Sequence, residues 1–332
     1  MRKYIITVLD GMAKGLFASL IIGLIIKQIG VLFDVQILIE IGTMAQYLMG
    51  PAIGAGVASA LGAPPLVLYA TIVTAAIGAE TIQMQDAVPI LTIGGPPGAL
   101  IAAIVSTEVG KFMSGKTKLD IIVVPLGTIV IGGIVGYLIA PYFTTMMFWL
   151  GNIVNELTLL HPLPMGVLVG TVVGMVLTLP ISSAALAIAL NMNGLAAGAA
   201  VAGCSAQMIG FAVSSFRENG MSGLLTQGIG TSMLQIPNII KNPWIWIPPT
   251  VASAIVGGLA TTVFMMESTA AGAGMGTSGL VGQVATLSVM GNAGLPGIII
   301  LNFILPAVIS GGISFYLRKI GKVKQGDYRL NQ

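Results

Sequence analysis

Apolar runs long enough to cross a bilayer recur along nearly the whole of this chain, and no other property narrows its folding options so far. Leu119 to Ile139 is a clean example; others begin near Gly15, Val35 and Pro97. At 1.5 Å per residue, about 20 such residues cover the hydrocarbon thickness of roughly 30 Å. Inside lipid every backbone N–H and C=O must be paired within the protein, which continuous runs of this kind achieve as helices. Composition agrees: 55% of the 332 residues are hydrophobic and 8% are charged. The mean hydropathy of +0.98 lies far outside the range of soluble domains. The chain reads as an all-α polytopic membrane protein of about ten transmembrane segments, with broken or re-entrant helices and a candidate internal duplication.

Small residues dominate the packing vocabulary. There are 45 glycines against 6% aromatics, so helices are expected to meet through close backbones, as at Gly166, Gly170 and Gly174, spaced four apart. One cysteine, Cys204, and one histidine, His161, exclude a disulfide framework, a multi-thiolate site and a His-based zinc site; no cofactor is expected. Positive charge gathers at the ends: Arg2 and Lys3 at one, Arg318, Lys319, Lys322, Lys324 and Arg329 at the other. The positive-inside rule then places both termini in the cytoplasm, with an even number of crossings. The N-terminal stretch lacks a small-x-small cleavage site and is expected to be retained. The basic tail, residues 318–332, lies next to a span. It suits lipid headgroups rather than nucleic acid.

Several interruptions punctuate the runs. Lys27 lies inside the first apolar segment, where a lysine can snorkel. Pro51 breaks Val35–Leu61, and Pro64-Pro65 separates it from a short segment ending at Ala79. Glu80 to Gly95 reads as a mixed connector with Gln83, Gln85 and Asp86, closed by the turn-forming GGPPGA. Lys111, Lys116 and Lys118 mark a cytoplasmic loop, and Tyr142–Leu160, with Phe143, Phe148 and Trp149, reads as a separate interfacial segment. The second half echoes the first: Gly50, Gly54, Val57, Leu61 and Pro64 align with Gly166, Gly170, Val173, Leu177 and Pro180. This suggests same-sense repeats over residues 40–147 and 156–266, followed by a span at 294–317. Transporters built from repeats hold substrate between them near the midplane.

Polar groups appear where simple spans do not need them. Met265 to Gln283 opens on Glu267, carries the hydroxyls of Ser268, Thr269, Thr277 and Ser278, and is otherwise rich in Gly and Ala. Irregular backbone survives at membrane depth only where it is buried in protein or lines a cavity, and an ionisable group there is a functional candidate; a solvent loop is the plainer alternative. LPISS places Pro180 ahead of Ser182 and Ser183, a helix start with hydroxyls for its free N–H groups. Gln207 lies on the next apolar piece, and Arg217, Glu218 and Asn219 follow as a solvated helix end or a cavity lining. Pro237, Pro243, Pro248 and Pro249 forbid one continuous helix where Gln235, Asn238 and Asn242 offer amides. Trp244 and Trp246 serve either an interfacial belt or the apolar face of a sugar. His161, before Pro162, is an interfacial group or a ligand. AGAGMGTSG has dinucleotide-like spacing without the strand–helix context that such a site requires.

Over EVGKFMSGKTKLDIIVVP, LTLPISSAALAIAL, GCSAQMIGFAVSSFRENG, GIGTSMLQIPNIIKNPWIWIPP and ESTAAGAGMGTSGLVGQ the chain closely resembles the second EIIC-type family of the bacterial phosphotransferase system, which includes perfringolysin-regulator-like membrane proteins. The resemblance covers nearly the whole chain, 1–332, as a single domain. It implies a bacterial inner-membrane sugar permease, expected as a homodimer, whose substrate is held at mid-membrane and phosphorylated by a separate IIB protein charged by IIA. No autonomous catalytic group is implied. Sugar EIIC proteins use a glutamate, often before a proline, and a histidine on sugar hydroxyls. Here Gly95 stands before the proline of GGPPGA, so Glu267, inside the specific motif, is the first carboxylate candidate and Glu218 the second. The candidate ligand set is Glu267, Ser268, Thr277, Ser278, Glu218, Asn219, Gln207, Asn238, Ser182, Ser183 and His161. Two competing expectations are a sensor or regulator that kept the permease fold, and an ion-coupled metabolite transporter.

Overall fold

The computed structural model describes residues 2–85, 88–158, 160–190 and 192–330. The chain is a mostly helical, polytopic membrane protein. Among the described residues five helical runs are long and apolar enough to cross a bilayer: Lys3–Leu32, Asp120–Phe143, Gly194–Ser214, Pro243–Thr262 and Ser278–Lys319, with Pro65–Gly78 and Pro162–Thr178 shorter. Two compact units divide the chain, Met1–Met146 and Met147–Gln332, and the first expected repeat, 40–147, ends at that division.

Unit 1 opens with α1 (Arg2–Leu16), which passes through a π-turn into α2 (Ile22–Leu32). α3 (Gln36–Tyr47) and α4 (Met49–Ala60) meet at a kink on Leu48. Pro51 is the cause, because its ring would meet the carbonyl four residues earlier, on Tyr47. α5 (Pro65–Gly78) and α6 (Pro96–Met113) pack together through Ser106, whose hydroxyl donates to Thr74 Oγ1 at 2.6 Å. Between them the sequence promised an irregular connector. The structure instead forms a hairpin of β1 (Ile82–Gln85) and β2 (Val88–Leu91), pairing Ile82 with Leu91 and Gln83 with Ile90. Its β-branched residues suit an exposed strand pair; Asp86 lies outside the described residues. Tyr4 donates to Glu108 at 2.9 Å and Lys111 to the Leu61 carbonyl at 3.1 Å, so the N-terminus and the lysine-bearing end of α6 lie together.

α7 (Asp120–Thr158) runs unbroken for 39 residues, and the separate segment expected from Tyr142 does not exist. Pro141 removes the ladder bond to the Tyr137 carbonyl, yet the helix continues through it. Prolines are tolerated inside membrane helices when freed groups find local partners.

Unit 2 is built around α10 (Gly194–Ser214), most of whose residues are buried. α8 (Pro162–Thr178) runs parallel to it, with Gly170 against Ala199 and Gly203, and Thr178 beside Gln207. α13 (Ile247–Thr262) runs the opposite way: Ser253 Oγ donates to the Gly203 carbonyl at 2.9 Å and Thr261 Oγ1 to that of Pro162 at 2.6 Å. A Cβ on Gly203 would overlap the Gly170 carbonyl. Close backbones therefore set the α8–α10 spacing, as the glycine spacing predicts. α16 (Leu295–Ile299) leads through a π-turn into α17 (Leu305–Lys319), parallel to α10. Between the long helices lie α9 (Ser183–Ala189), α11 (Phe216–Leu225), α12 (Ile236–Lys241), α14 (Ala270–Ala273) and α15 (Val281–Met290), all short.

Candidate functional site

Glu267 to Met290 doubles back on itself as a hairpin against α10. Ser268 pairs with Gly194 at the start of that helix, exchanging backbone bonds of 3.1 and 3.2 Å. The descending leg then follows α10: Cys204 Sγ donates to the Ala273 carbonyl at 3.7 Å, and Thr277 Oγ1 reaches Met208 Sδ at 3.4 Å. Gly276, Gly279 and Leu280 turn the chain with positive φ. α15 climbs back past Ser205, which accepts from Gln283 Nε2 at 3.2 Å, until Met290 Sδ lies 3.1 Å from the Glu267 backbone nitrogen. From residue 194 to 208 the contacts follow α10 for about 20 Å. The segment is therefore not a solvent loop.

Glycine makes this descent possible. A Cβ on Gly198 would overlap the Met266 carbonyl, and one on Gly276, whose φ is +53°, would crowd the backbone of Cys204 and Ser205. Two other interrupted stretches meet the hairpin. Ser183 Oγ at the start of α9 donates to the Gly274 carbonyl at 2.6 Å, and Ser278 Oγ donates to the carbonyl of Gly230 at 2.8 Å, beyond α11. Next to this junction a buried network centres on Gln207. Its Oε1 accepts from Thr178 Oγ1 at 3.2 Å and Trp246 Nε1 at 3.1 Å, while Nε2 donates to Thr250 at 3.2 Å. Thr178 and Ser232 hydroxyls lie 2.8 Å apart.

The hairpin and its neighbour retain unused capacity. Gln283 Oε1, Thr286 Oγ1, Ser268 Oγ and Asn302 Nδ2 are buried and have no hydrogen-bond partner among the described residues. A buried polar atom left unpaired costs about 1–3 kcal/mol, so such groups are suited to a ligand or water.

The structure groups only part of the anticipated ligand set. Ser183, Ser268, Thr277, Ser278 and Gln207 converge on α10, and Ser182 precedes them at the α9 entrance. Glu267 is exposed at the α10 N-terminal end. His161 is also exposed, at the mouth of α8, the same end of the unit. Glu218, Asn219 and Asn238 lie at the opposite end, where they hold the C-terminal tail. Glu218 pairs with Arg318 at 2.8 and 3.0 Å. Asn219 Nδ2 donates to the Tyr328 carbonyl at 2.8 Å and Oδ1 accepts Leu330 N at 2.9 Å. Asn238 donates to Gln235 Oε1 and to the Arg329 carbonyl, both at 2.9 Å. The tail read as a basic anchor is thus folded into the unit, with Tyr328 wholly buried against Phe211.

Sequence reasoning passed over Thr178, Ser232, Thr250 and Thr286 as ordinary residues of apolar segments, and left Gln283 out of the candidate set. Their signal was present: Thr178 precedes the Pro180 break, Ser232 follows GIG, Thr250 follows Pro248-Pro249, and Thr286 falls one turn after Gln283. The family model described as "Phosphotransferase system, EIIC" matches residues 6–330. No curated protein and no solved structure matches.

Proposed function

The chain belongs to the EIIC family of the phosphotransferase system, and from that premise we propose that it is a sugar-specific permease component. It takes a sugar from outside, holds it where the hairpin meets α10, and releases it toward a separate IIB protein charged by IIA. The observation that carries this reading is the pair of unpartnered buried groups on α15, Gln283 Oε1 and Thr286 Oγ1. They lie one helical turn apart on a segment whose tip is enclosed by α10 and Ser278–Gly230. Sugar hydroxyls both donate and accept, so a single ring can satisfy an amide oxygen and a hydroxyl together.

Sidedness supports the same reading. Arg217, Lys241, Arg318, Lys319, Lys322 and Lys324 gather at the α10 C-terminal end, the cytoplasmic end by the positive-inside rule. In unit 1 the N-terminus and Lys111 share one end, which supports the reading that both termini are cytoplasmic. Glu267 and His161 then belong to the outer mouth, as first contacts for an entering sugar. A homodimer and the duplication of 40–147 in 156–266 belong to this proposal.

The test is binding of a sugar panel to the purified chain. At least one sugar should stabilise the wild type, and Gln283→Leu should weaken its binding about tenfold, the worth of one good hydrogen bond in a dry site. Glu267→Gln should weaken it less. Unchanged affinity in Gln283→Leu for a sugar that the wild type binds removes the hairpin as the site.

A further inference from the structure

Where the docked tail turns back beneath α17, it leaves a cavity of about 500 Å³ against the first turn of α11. Arg217, Glu218, Arg318, Gly321, Lys324 and Gln325 line it. Its charges do not cancel. Glu218 is committed to Arg318 by two bonds, with its carboxylate also accepting Gly326 N at 3.4 Å. Arg318 is fixed further by the Ser214 carbonyl at 2.9 Å and lies 5.2 Å over the Tyr328 ring. Asp327, the nearest tail carboxylate, accepts from Asn242 Nδ2 and Lys324 N, both at 2.7 Å. The side chains of Arg217 and Lys324 are exposed and have no ion-pair partner among the described residues.

We propose that this cavity is an oxyanion site that takes a phosphate group, either free inorganic phosphate or the headgroup of an anionic phospholipid. Two cations without ion-pair partners on one cavity lining match the charge of a phosphate, and arginine's planar fork with lysine's mobile ammonium is a pairing suited to its oxygens. Arg217 belongs to α11 and Lys324 to the tail, so a phosphate held between them ties the tail to the unit. The basic end of the unit lies within reach of membrane headgroups. This site stands apart from the hairpin and does not depend on sugar transport.

The test uses the full chain in an uncharged detergent with inorganic phosphate against chloride of equal ionic strength, and in nanodiscs of phosphatidylcholine with and without phosphatidylglycerol. Thermal midpoint and direct binding are read for wild type, Arg217→Gln/Lys324→Gln, Arg217→Lys/Lys324→Arg, and Lys118→Gln, a lysine outside the cavity lining, as a charge control. Phosphate or phosphatidylglycerol should stabilise the wild type, the charge-conserving pair and Lys118→Gln, while the neutral pair binds about tenfold or more weakly. A response to phosphate identifies the free anion as ligand, and a response confined to phosphatidylglycerol identifies the headgroup. If the neutral pair does not fold, Lys324→Gln alone, at an exposed tail position, gives the same reading. No response to either ligand, or an equal response in the neutral variants, overturns the site.

Discussion

Tyr328 shows how much a single tail residue is worth in this protein. Its ring is fully buried beside Phe211, and its hydroxyl lies 3.3 Å from Ser314 Oγ and 3.4 Å from the Ile245 carbonyl. Burial pushes the phenol above the ordinary tyrosine range, against the lowering influence of Ser314, Ser214 and Arg318. The folded state therefore keeps a proton that the unfolded state loses near pH 10. Tail docking is fully stabilised by this group below that pH, and the contribution is lost as pH rises through the folded value. A Tyr328→Phe variant should begin about 1 kcal/mol less stable, from the lost hydrogen bonds, and should lose less with alkalinity. Thermal midpoints taken from pH 8 to pH 11 check this; parallel slopes for the two proteins would falsify it. Glu218 and Asn219 teach the complementary lesson. A carboxylate and an amide beside a span have the chemistry of a ligand site, and the adjacent residues FRENG cannot say that their partners lie about a hundred positions later in the tail.

Among the elements, the hairpin from Glu267 to Met290 is where sequence served best. Its polarity and glycine content marked it as unfit for lipid, and the structure buries it along α10. What the string of residues could not supply was its depth, because that follows from which helix it lies against. Gly198 decides the approach at one level, since a side chain there would occupy the Met266 carbonyl's position. Gly198→Val should cost about 1–3 kcal/mol or more through overpacking. It should also raise the labelling of a cysteine placed at Ser268, measured against the same cysteine with Gly198 intact; equal labelling and an unshifted thermal midpoint would show that the hairpin does not need the glycine. The β1–β2 hairpin and unbroken α7 were illegible for another reason. Short exposed strands carry little periodic signal, and whether Pro141 ends a helix or lies inside one depends on its tertiary surroundings, not on the proline alone.

At the scale of the whole molecule, membership in the EIIC family and the membrane class agree with hydropathy, and the sides of unit 2 are open to direct measurement. In a Cys204→Ser background, cysteines at Lys324 and Glu267 should react with a membrane-impermeant thiol reagent from opposite faces of intact cells or sealed vesicles. Labelling of both from one face would contradict the parallel run of α10 and α17 between them. Aligned glycines in the two halves both sit at close backbone contacts, but against neighbours of different rank: Gly54 meets α5, the next helix, whereas Gly170, aligned with it, meets α13, far along the chain, and α10. Residue types alone suffice for the membrane class, the helix breaks at Pro51 and Pro64-Pro65, the small-residue contacts and the misfit of the Glu267 stretch, because each is a local matter of transfer free energy and backbone geometry. Only the tertiary structure decided which polar groups meet. It placed Glu267 and Glu218 at opposite ends of unit 2, gave Asn219 and Asn238 to the tail, and left Gln283 Oε1 and Thr286 Oγ1 without partners among the described residues, since hydrogen-bond partners are set by distance in space rather than along the chain.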